Sequence, residues 1–298
     1  MRGWAIGAAV WLGLAWPVQA LAQTEGAPER RPSHCIALVQ DAPGVRVIRA
    51  SFTEPVPDFS VRISYVDHAM FLLQTVGGLS AVTDYNGFIG PTEFTPDVVT
   101  MNRAHSTHWT PTPDPAIPHV LPGWNTEGPE PADHWVDLGE MIIRNVPTDI
   151  RGGFGAEPVR GGNSIFVFEV EGLCIGHLGH LHHVPTDAQF AAIGRLDVVM
   201  APVDGGMTLS LPEMIATLQR LRSSIVIPMH WFSGYSLGRF LEGIQDDFRI
   251  DIRETRSLDV SLRTLPPEPT VVVLQPRFLG FDDGTGGPGP APRPAPVD

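Results

Sequence analysis

One strand-like run that ends in a dense cluster of histidines constrains this chain more than any other feature. Residues 165–170 are apolar and rich in β-forming types, and the chain soon continues into His177, His180, His182 and His183, four histidines within seven residues. Neutral imidazole is the commonest protein ligand for zinc and related ions. The run therefore predicts a metal site at a strand end. A solvated, histidine-rich turn is the alternative, because the spacing matches no closed four-ligand signature.

Composition limits the architecture and the partners. The 298 residues are 43% hydrophobic and 18% charged, which is typical of one large domain with a sizeable core. The formal net charge is −13 and the sequence contains no run of lysine or arginine, so a nucleic-acid backbone would be repelled. We expect a small-molecule substrate and no nucleic-acid partner.

The two ends of the chain are predicted to lie outside this domain. Arg2 precedes an apolar stretch over residues 4–16, Pro17 interrupts it, and the small residues at 20–22 suit a signal peptidase. We expect a signal peptide at residues 1–22, the domain at residues 23–278 and a disordered Gly/Pro-rich tail at residues 279–298. The apolar stretch is short for a membrane span. The mature protein is therefore expected in a bacterial periplasm or secreted, without stable membrane insertion.

Three roles are open to the two cysteines of an exported chain. Cys35 and Cys174 can form a disulfide in an oxidising compartment, where an even count permits pairing. Cys174 also suits a small buried position in an apolar strand. A thiolate metal ligand is the third option, since Cys174 precedes His177 by three residues.

Short strands dominate the predicted secondary structure. Residues 61–66 and 70–76 are β-like, Gly77-Gly78 is expected to form a hairpin turn, and residues 79–83 return as a third strand, which gives an antiparallel start. Further strands are expected at residues 98–101, 141–146, 165–170, 173–175, 197–201 and 225–230.

Helices and long loops are fewer. Ser210 and Glu213 form a capping box for a helix that is expected to end near Arg222, and residues 236–248 predict a second amphipathic helix. Residues 110–133 are rich in proline and lack apolar periodicity, so they predict a long loop, which is often a functional element in a compact domain.

Histidines follow three of the predicted strands. His105 and His108 come after residues 98–101, the cluster at 177–183 comes after residues 173–175, and His230 ends the strand at 225–230. A single histidine at a strand end is ordinary. Three such ends in one domain indicate a shared mouth where ligands from distant parts of the sequence converge.

Five short segments carry landmarks of a known family: residues 65–73, 83–84, 96–100, 177–179 and 227–230 read YVDHAMFLL, TD, PDVVT, HLG and IPMH. In these segments the chain resembles the metallo-β-lactamase superfamily, in particular the branch of ascorbate-phosphate lactonase-like hydrolases. It covers roughly residues 61–231. It implies an α/β fold, an αββα sandwich of two mixed β-sheets, with a metal site at one edge and an activated water as nucleophile.

The metal motif departs from the one that the resemblance implies. The expected His-x-His-x-Asp-His falls on residues 103–108, where Arg103 replaces the first histidine and Thr107 replaces the aspartate. The next expected histidine falls near residues 148–149, where Asp149 is a possible substitute. The expected Gly-Asp pair of the metal-bridging position is Gly179-His180 here.

Carried over by position, the resemblance implies the ligands His105, His108, His180 and His230. Neutral imidazoles in place of carboxylates leave more positive charge on the metal, which favours a bound hydroxide near neutral pH and weakens the hold on a second cation. We therefore predict a single metal ion and favour zinc. The ligand types alone do not distinguish zinc from iron or manganese.

Other residues near these positions are candidates for supporting roles. Asp84 resembles a carboxylate that fixes the tautomer of a ligand histidine, and Arg103 is a candidate for holding an anionic substrate group; each is equally readable as a turn or surface residue. His177, His182 and His183 are additional ligands, proton shuttles or rim residues, and His68 is a loop residue bordering the site; a purely structural role is open to all four.

The leading hypothesis is an exported metal-dependent hydrolase that uses a metal-bound hydroxide on an ester, lactone, amide or phosphoester. The second is a non-catalytic member of the same fold that binds a metal or an anion through Arg103 and the histidines. An iron-based oxidoreductase is a third. Fold alone does not fix the substrate.

Overall fold

Two facing β-sheets form the framework of this computed structural model, which describes residues 30–36, 52–152 and 156–280. The six-stranded sheet has the order β13-β1-β2-β3-β4-β5 and the eight-stranded sheet the order β12-β14-β11-β10-β9-β8-β7-β6. The strands of the first sheet are β1 Val61–Asp67, β2 Met70–Gln74, β3 Ser80–Val82, β4 Val98–Met101, β5 His119–Pro122 and β13 Ser257–Val260. Those of the second are β6 Trp135–Asp137, β7 Met141–Ile150, β8 Val159–Val170, β9 Leu173–His177, β10 Val198–Pro202, β11 Ile225–Met229, β12 Arg249–Ile252 and β14 Thr270–Val273.

Both sheets are mixed, which confirms the predicted fold class. In the six-stranded sheet, β1, β2 and β3 pair antiparallel and β3, β4 and β5 pair parallel. In the eight-stranded sheet, β6 to β9 pair antiparallel, whereas β9, β10, β11, β14 and β12 run parallel. Parallel strands bring their carboxyl ends to one edge, so the segments that follow β4, β9, β10 and β11 are candidates for a shared site.

Alternation along the strands builds the core between the sheets. In β1 and β2, Ile63 and Phe71 point into the inner cluster, where they meet Phe168 and Ile227 of the other sheet. Leu72, the residue after Phe71 in β2, belongs to a separate cluster on the outer face. This two-residue period is what a strand buried on both faces requires.

The two outer faces are covered differently. Three helices, α1 Asp187–Ile193, α2 Leu211–Leu221 and α3 Gly234–Ile244, bury apolar residues against the eight-stranded sheet. In the described part of the chain, the outer face of the six-stranded sheet is packed instead by loop residues such as Tyr85, Ile89 and Leu279. No helix of the described residues is long and apolar enough to cross a bilayer.

The sequence patterns located the first-half strands and α2 well. The hairpin and third strand are present as β1, β2 and β3, and α2 has the predicted capping box of Ser210 and Glu213 with Arg222 as its C-cap. The interpretation of residues 110–133 as one long loop was wrong in part, because β5 lies within it and pairs with β4. The helix α1 and the strands β12 to β14 were not predicted.

The disulfide option for the cysteines is confirmed. Cys35 and Cys174 are bonded, with a Cα–Cα distance of 5.7 Å, and this ties the segment at residues 30–36 to β9. The segment is also held by the backbone amide of Arg195, which donates to the Cys35 carbonyl at 2.8 Å. The predicted signal peptide and residues 281–298 of the predicted tail lie outside the described residues.

Candidate metal centre

The histidines that follow separate strands meet at one edge of the sandwich. His105 and His108 follow β4, His180 follows β9, and His230 follows β11. All six pairs among these four rings have centroid separations between 4.5 and 5.7 Å. The folded chain therefore brings the four predicted ligands into one cluster.

His68 joins the cluster from the turn between β1 and β2. Its ring lies 4.0 Å from that of His230 and 5.1 Å from that of His108. One ligand atom each of His68, His105, His108 and His230 can be chosen so that all four lie within 4.8 Å of one another. The sequence predicts His68 only as a loop residue bordering the site, whereas the fold brings its ring into the cluster.

Local backbone strain marks the same residues. His68, Asp84 and His230 have φ angles of 46°, 43° and 56°, and they are three of the six non-glycine residues with positive φ in the described part of the chain. Such conformations cost free energy and are kept where surrounding contacts enforce them. Here the His68 carbonyl accepts hydrogen bonds from the Tyr65 hydroxyl at 2.6 Å and from the His230 amide at 2.9 Å. These bonds fix the turn to the end of β11.

A buried carboxylate orients His230. Nδ1 of His230 donates to Oδ2 of Asp204 at 3.0 Å, and Asp204 Oδ1 accepts from the amides of Gly206 at 2.9 Å and Thr208 at 3.1 Å. Burial opposes ionisation of Asp204, but these donors outweigh it and hold the pKa of Asp204 well below its ordinary value. The bond at Nδ1 leaves the lone pair of His230 on Nε2.

A second carboxylate pairs with His108. Nδ1 of His108 and Oδ2 of Asp84 share a hydrogen bond of 2.5 Å, and Asn102 donates to the other Asp84 oxygen at 2.8 Å. Burial raises the pKa of Asp84 well above its ordinary value, and the single bond from Asn102 offsets only part of this effect. The structure thus places Asp84 where the resemblance implies a tautomer-fixing carboxylate.

Among the described residues, no carboxylate contacts the ring nitrogens of His105 or His180. Nε2 of His105 and Nε2 of His180 lie 3.1 Å apart, and Nδ1 of His105 contacts the Thr107 hydroxyl at 2.7 Å. Nδ1 of His180 lies 2.5 Å from Nε2 of His182, whose Nδ1 accepts from the Arg151 amide at 2.7 Å. Thr107 stands at the position where the resemblance implies an aspartate, and its hydroxyl contacts Nδ1 of His105.

One glycine lets His180 reach this position. Gly179 has a φ angle of 59°, and a Cβ there would lie 2.4 Å from the side chains of both Asn102 and Asn163. Asn163 also accepts the amide of His180 at 2.7 Å. The close packing requires glycine, and it fixes the main chain directly before the histidine.

Five imidazoles at the site, those of His68, His105, His108, His180 and His182, have lowered pKa values that keep them neutral. Burial lowers the pKa of His68 to about 2, that of His105 to about 4 and that of His108 well below its ordinary value, and neighbouring imidazoles add to each shift. Burial likewise lowers the pKa of His180 well below its ordinary value and that of His182 to about 4. A neutral imidazole offers a lone pair, which is the form that binds a metal ion.

Other predicted residues lie apart from the cluster. Both ring nitrogens of His177 bond the backbone, Nε2 to the Ala69 carbonyl at 2.8 Å and Nδ1 to the Gly179 amide at 3.2 Å, so His177 holds the turn together. Asp149 is exposed and accepts the Gly161 amide at 2.8 Å. His183 is exposed. The side chain of Arg103 is also exposed, and within the described ranges its guanidinium has no hydrogen bond or ion pair.

The donor set fits a zinc-like ion. Among the described residues, Nε2 of His68, His108 and His230 is buried without a hydrogen-bond partner, a costly state that a bound cation relieves. Histidine ligands that are oriented by a carboxylate through Nδ1 are typical of zinc sites. Ions that prefer oxygen, such as magnesium and calcium, fit an imidazole cluster poorly.

Sequence reasoning missed Asp204, Asn102 and Asn163. Asp204 follows β10 directly, so a carboxylate at the end of a parallel strand was the available signal. The two asparagines act through hydrogen bonds to other chain segments, and sequence spacing carries no such information.

Comparisons with known proteins agree with this geometry. The family described as beta-lactamase superfamily domain matches residues 62–230, which is over half of the chain. A UPF0173 metal-dependent hydrolase of Carboxydothermus hydrogenoformans is 22% identical over 233 residues, covering 72% of this chain and all of the relative. A solved structure from Thermotoga maritima, described as a candidate zinc-dependent hydrolase of the metallo-β-lactamase superfamily, is 26% identical with a TM-score of 0.52 and covers 72% of this chain and 98% of its own.

A second solved structure shows the same fold at lower identity. It is a candidate metal-dependent hydrolase of Parabacteroides distasonis with 13% identity and a TM-score of 0.50, covering 72% of this chain and 94% of its own. The match over residues 62–230 spans every strand end that carries a cluster histidine, from His68 to His230. The chain belongs to the metallo-β-lactamase superfamily.

Proposed function

We propose that the protein is an exported hydrolase that binds a single zinc ion and cleaves a small ester, lactone, amide or phosphoester. The observation that carries the proposal is the convergence of buried imidazoles whose Nε2 atoms lack a partner among the described residues. The named relative, a metal-dependent hydrolase that aligns over its full length, supports the reaction class.

Three histidines form the core of the proposed ligand set. The resemblance implies three of the clustered histidines as ligands, namely His105, His108 and His230. These three also belong to the group whose ligand atoms lie within 4.8 Å of one another. Catalytic zinc sites use three protein ligands and keep a further position open, whereas four ligands close a structural site. His68 and His180 flank these three residues. Zinc in such a site supplies a Lewis acid and brings the pKa of a coordinated water to about 7.

The surrounding residues prepare this chemistry in distinct ways. Asp204 and Asp84 fix the rings of His230 and His108, so that little reorganisation accompanies ion binding. The exposed ring of Phe232 lies 5.1 Å from His68 and 5.0 Å from His230 and gives the mouth an apolar wall. Arg103 adds an exposed positive charge to the loop of His105, which suits a substrate with an anionic group.

Export is proposed from the signal-peptide pattern of residues 1–22 and is supported by the Cys35–Cys174 disulfide. Disulfides persist in oxidising compartments and are rare in a reducing cytosol. N-terminal sequencing of the protein from fractionated cells is expected to begin after Ala22 in the extracytoplasmic fraction. A cytosolic protein with an intact N-terminus and free thiols would contradict export.

Metal analysis with activity measurement tests the hydrolase. The wild-type protein is expected to purify with one zinc per chain and to hydrolyse a generic ester or lactone until a chelator is added. His230→Ala is expected to lose both ion and activity, while His183→Ala, an exposed histidine outside the cluster, keeps both. Normal zinc content in His230→Ala would refute the site.

A non-catalytic metal- or anion-binding member of the fold is the second candidate. Thr107 favours it, because a hydroxyl bonded to His105 stands where the resemblance implies a carboxylate. A zinc-loaded protein without chelator-sensitive turnover of any ester or lactone would support this candidate over the hydrolase.

A further inference from the structure

The hydrogen bonds around His180 form a directed chain that begins at a backbone amide. The N–H of Arg151 donates to Nδ1 of His182 at 2.7 Å. A backbone amide is always a donor, so Nδ1 of His182 must carry the lone pair. In the neutral imidazole the proton of His182 then resides on Nε2, which lies 2.5 Å from Nδ1 of His180.

The same logic fixes the tautomer of His180. Because Nε2–H of His182 donates to Nδ1 of His180, the proton of neutral His180 resides on its Nε2. That N–H points at Nε2 of His105, 3.1 Å away. Nδ1–H of His105 then donates to the Thr107 hydroxyl at 2.7 Å. Every donor in the chain meets an acceptor.

The opposite tautomer creates a conflict. For His180 to bind an ion through Nε2, its proton would move to Nδ1 and donate to Nε2 of His182. The proton of His182 would then sit on Nδ1, directly against the Arg151 N–H at 2.7 Å. Two donors facing each other at this distance would repel each other and leave a polar pair unsatisfied.

We propose that His180 enters the metal centre as a hydrogen-bond donor and not as a ligand, with its tautomer fixed through His182 by the backbone amide of Arg151. This proposal deepens the proposed function and rests on its metal site. In the ion-free protein this N–H donates to Nε2 of His105. An ion held by His105 would take up that lone pair, and the His180 N–H would then be released to an oxygen of the substrate at the same place. His180 then replaces an anionic bridging group with a donor that binds the reacting oxygen of the substrate.

Matched glutamine variants test this assignment by zinc affinity. His180→Gln keeps an N–H donor and is expected to bind zinc within about threefold of wild type. His230→Gln makes the same change at a ligand, and its zinc affinity is expected to fall by more than roughly 100-fold, the most that removal of a residue behind a ligand costs. A loss in His180→Gln equal to that in His230→Gln would overturn the proposal. Ester hydrolysis adds a second readout: His180→Gln retains more turnover than His180→Ala.

Nitrogen-15 NMR of histidine-labelled protein reads the tautomer directly. His180, assigned by the signal missing in His180→Gln, is expected to show a protonated Nε2 and an unprotonated Nδ1 with and without zinc. A zinc-coordinated Nε2 with a protonated Nδ1 would overturn the proposal. If wild-type protein binds no zinc, the proposed function fails, and the spectrum of the ion-free protein still decides the tautomer.

Discussion

Two carboxylate–histidine pairs, Asp204 with His230 and Asp84 with His108, support the metal centre, but their environments differ. Asp204 is bonded by His230, by the Thr208 hydroxyl and by backbone amides, so its pKa is lowered despite burial. Asp84 is fully buried beside His108 with one amide donor, so its pKa is raised. The strongest lowering of the Asp204 pKa comes from His230, with Thr208 and Gly206 adding to it, whereas at Asp84 the single bond from Asn102 offsets burial only in part.

Each pair should therefore contribute differently to ion binding. The lowered pKa of Asp204 keeps its carboxylate ionised at neutral pH, where it holds the Nδ1–H of His230. Burial opposes ionisation of Asp84, and a cation at His108 Nε2 would favour it. We expect Asp204 to be the stronger support of the site.

Between the two carboxylates, the larger effect is expected for Asp204→Asn. Loss of the anion behind His230 is expected to weaken zinc affinity by about 100-fold, the upper end for a partner that orients a ligand histidine. Competition with a zinc chelator measures it. Asp187→Asn, whose side chain is 91% exposed, is the matched control and should leave the affinity unchanged. Equal affinities of the two variants would erase the proposed difference between the pairs.

The pH dependence of the free energy of unfolding of the ion-free protein should distinguish the two carboxylate–histidine pairs. Asp204 has a folded-state pKa below the ordinary 3.8, so its stabilisation is present above that pH and is lost as the pH falls. At pH 7, Asp204→Asn is expected to lower the free energy of unfolding by about 2 kcal/mol, typical of hydrogen bonds to a charged group. The deficit should shrink below about pH 4.

Asp84→Asn should show the opposite pH trend in the same denaturation experiment. Its folded-state pKa is raised, so the wild-type carboxyl is stabilising in its protonated form and loses that advantage as the pH rises above 3.8. Relative to wild type, the variant should gain stability with rising pH. A parallel pH dependence of both variants would contradict the assigned charge states.

A smaller loss of zinc affinity is expected for Asp84→Asn. The amide oxygen can still accept the Nδ1–H of His108, so the loss should be about tenfold, the lower end for such partners. The chelator competition used for Asp204→Asn measures it under identical conditions. A loss greater than that of Asp204→Asn would reverse the order of the two pairs.

The smallest effect is expected for His183→Ala. His183 belongs to the histidine-rich run but is exposed, and within the described part of the chain its one ring contact is with His182 at 6.5 Å. Zinc affinity should stay within about twofold of wild type, as for surface substitutions in general. A tenfold loss of zinc affinity in His183→Ala would contradict this prediction and show that His183 takes part in the metal site.

Much of the framework was predictable because its signals are local. Apolar alternation identified β1 and β2, and the capping box at Ser210 identified α2. Short strands such as β5 and β13 were missed, since four residues carry little periodicity and their place depends on a neighbouring strand. The disulfide was one of three open roles for the cysteines, because residues 139 positions apart reveal no distance until the chain is folded.

The sequence by itself determined the family, the two mixed sheets and the histidine types at the strand ends, since these depend on patterns read along the chain. Tertiary structure decided which histidines meet, that His68 joins them and that His177 does not. It also decided the charge of Asp204 and Asp84 and the direction of the chain from Arg151 to His105. Those properties depend on burial and on donors supplied by distant segments, and both arise only when the two sheets pack together.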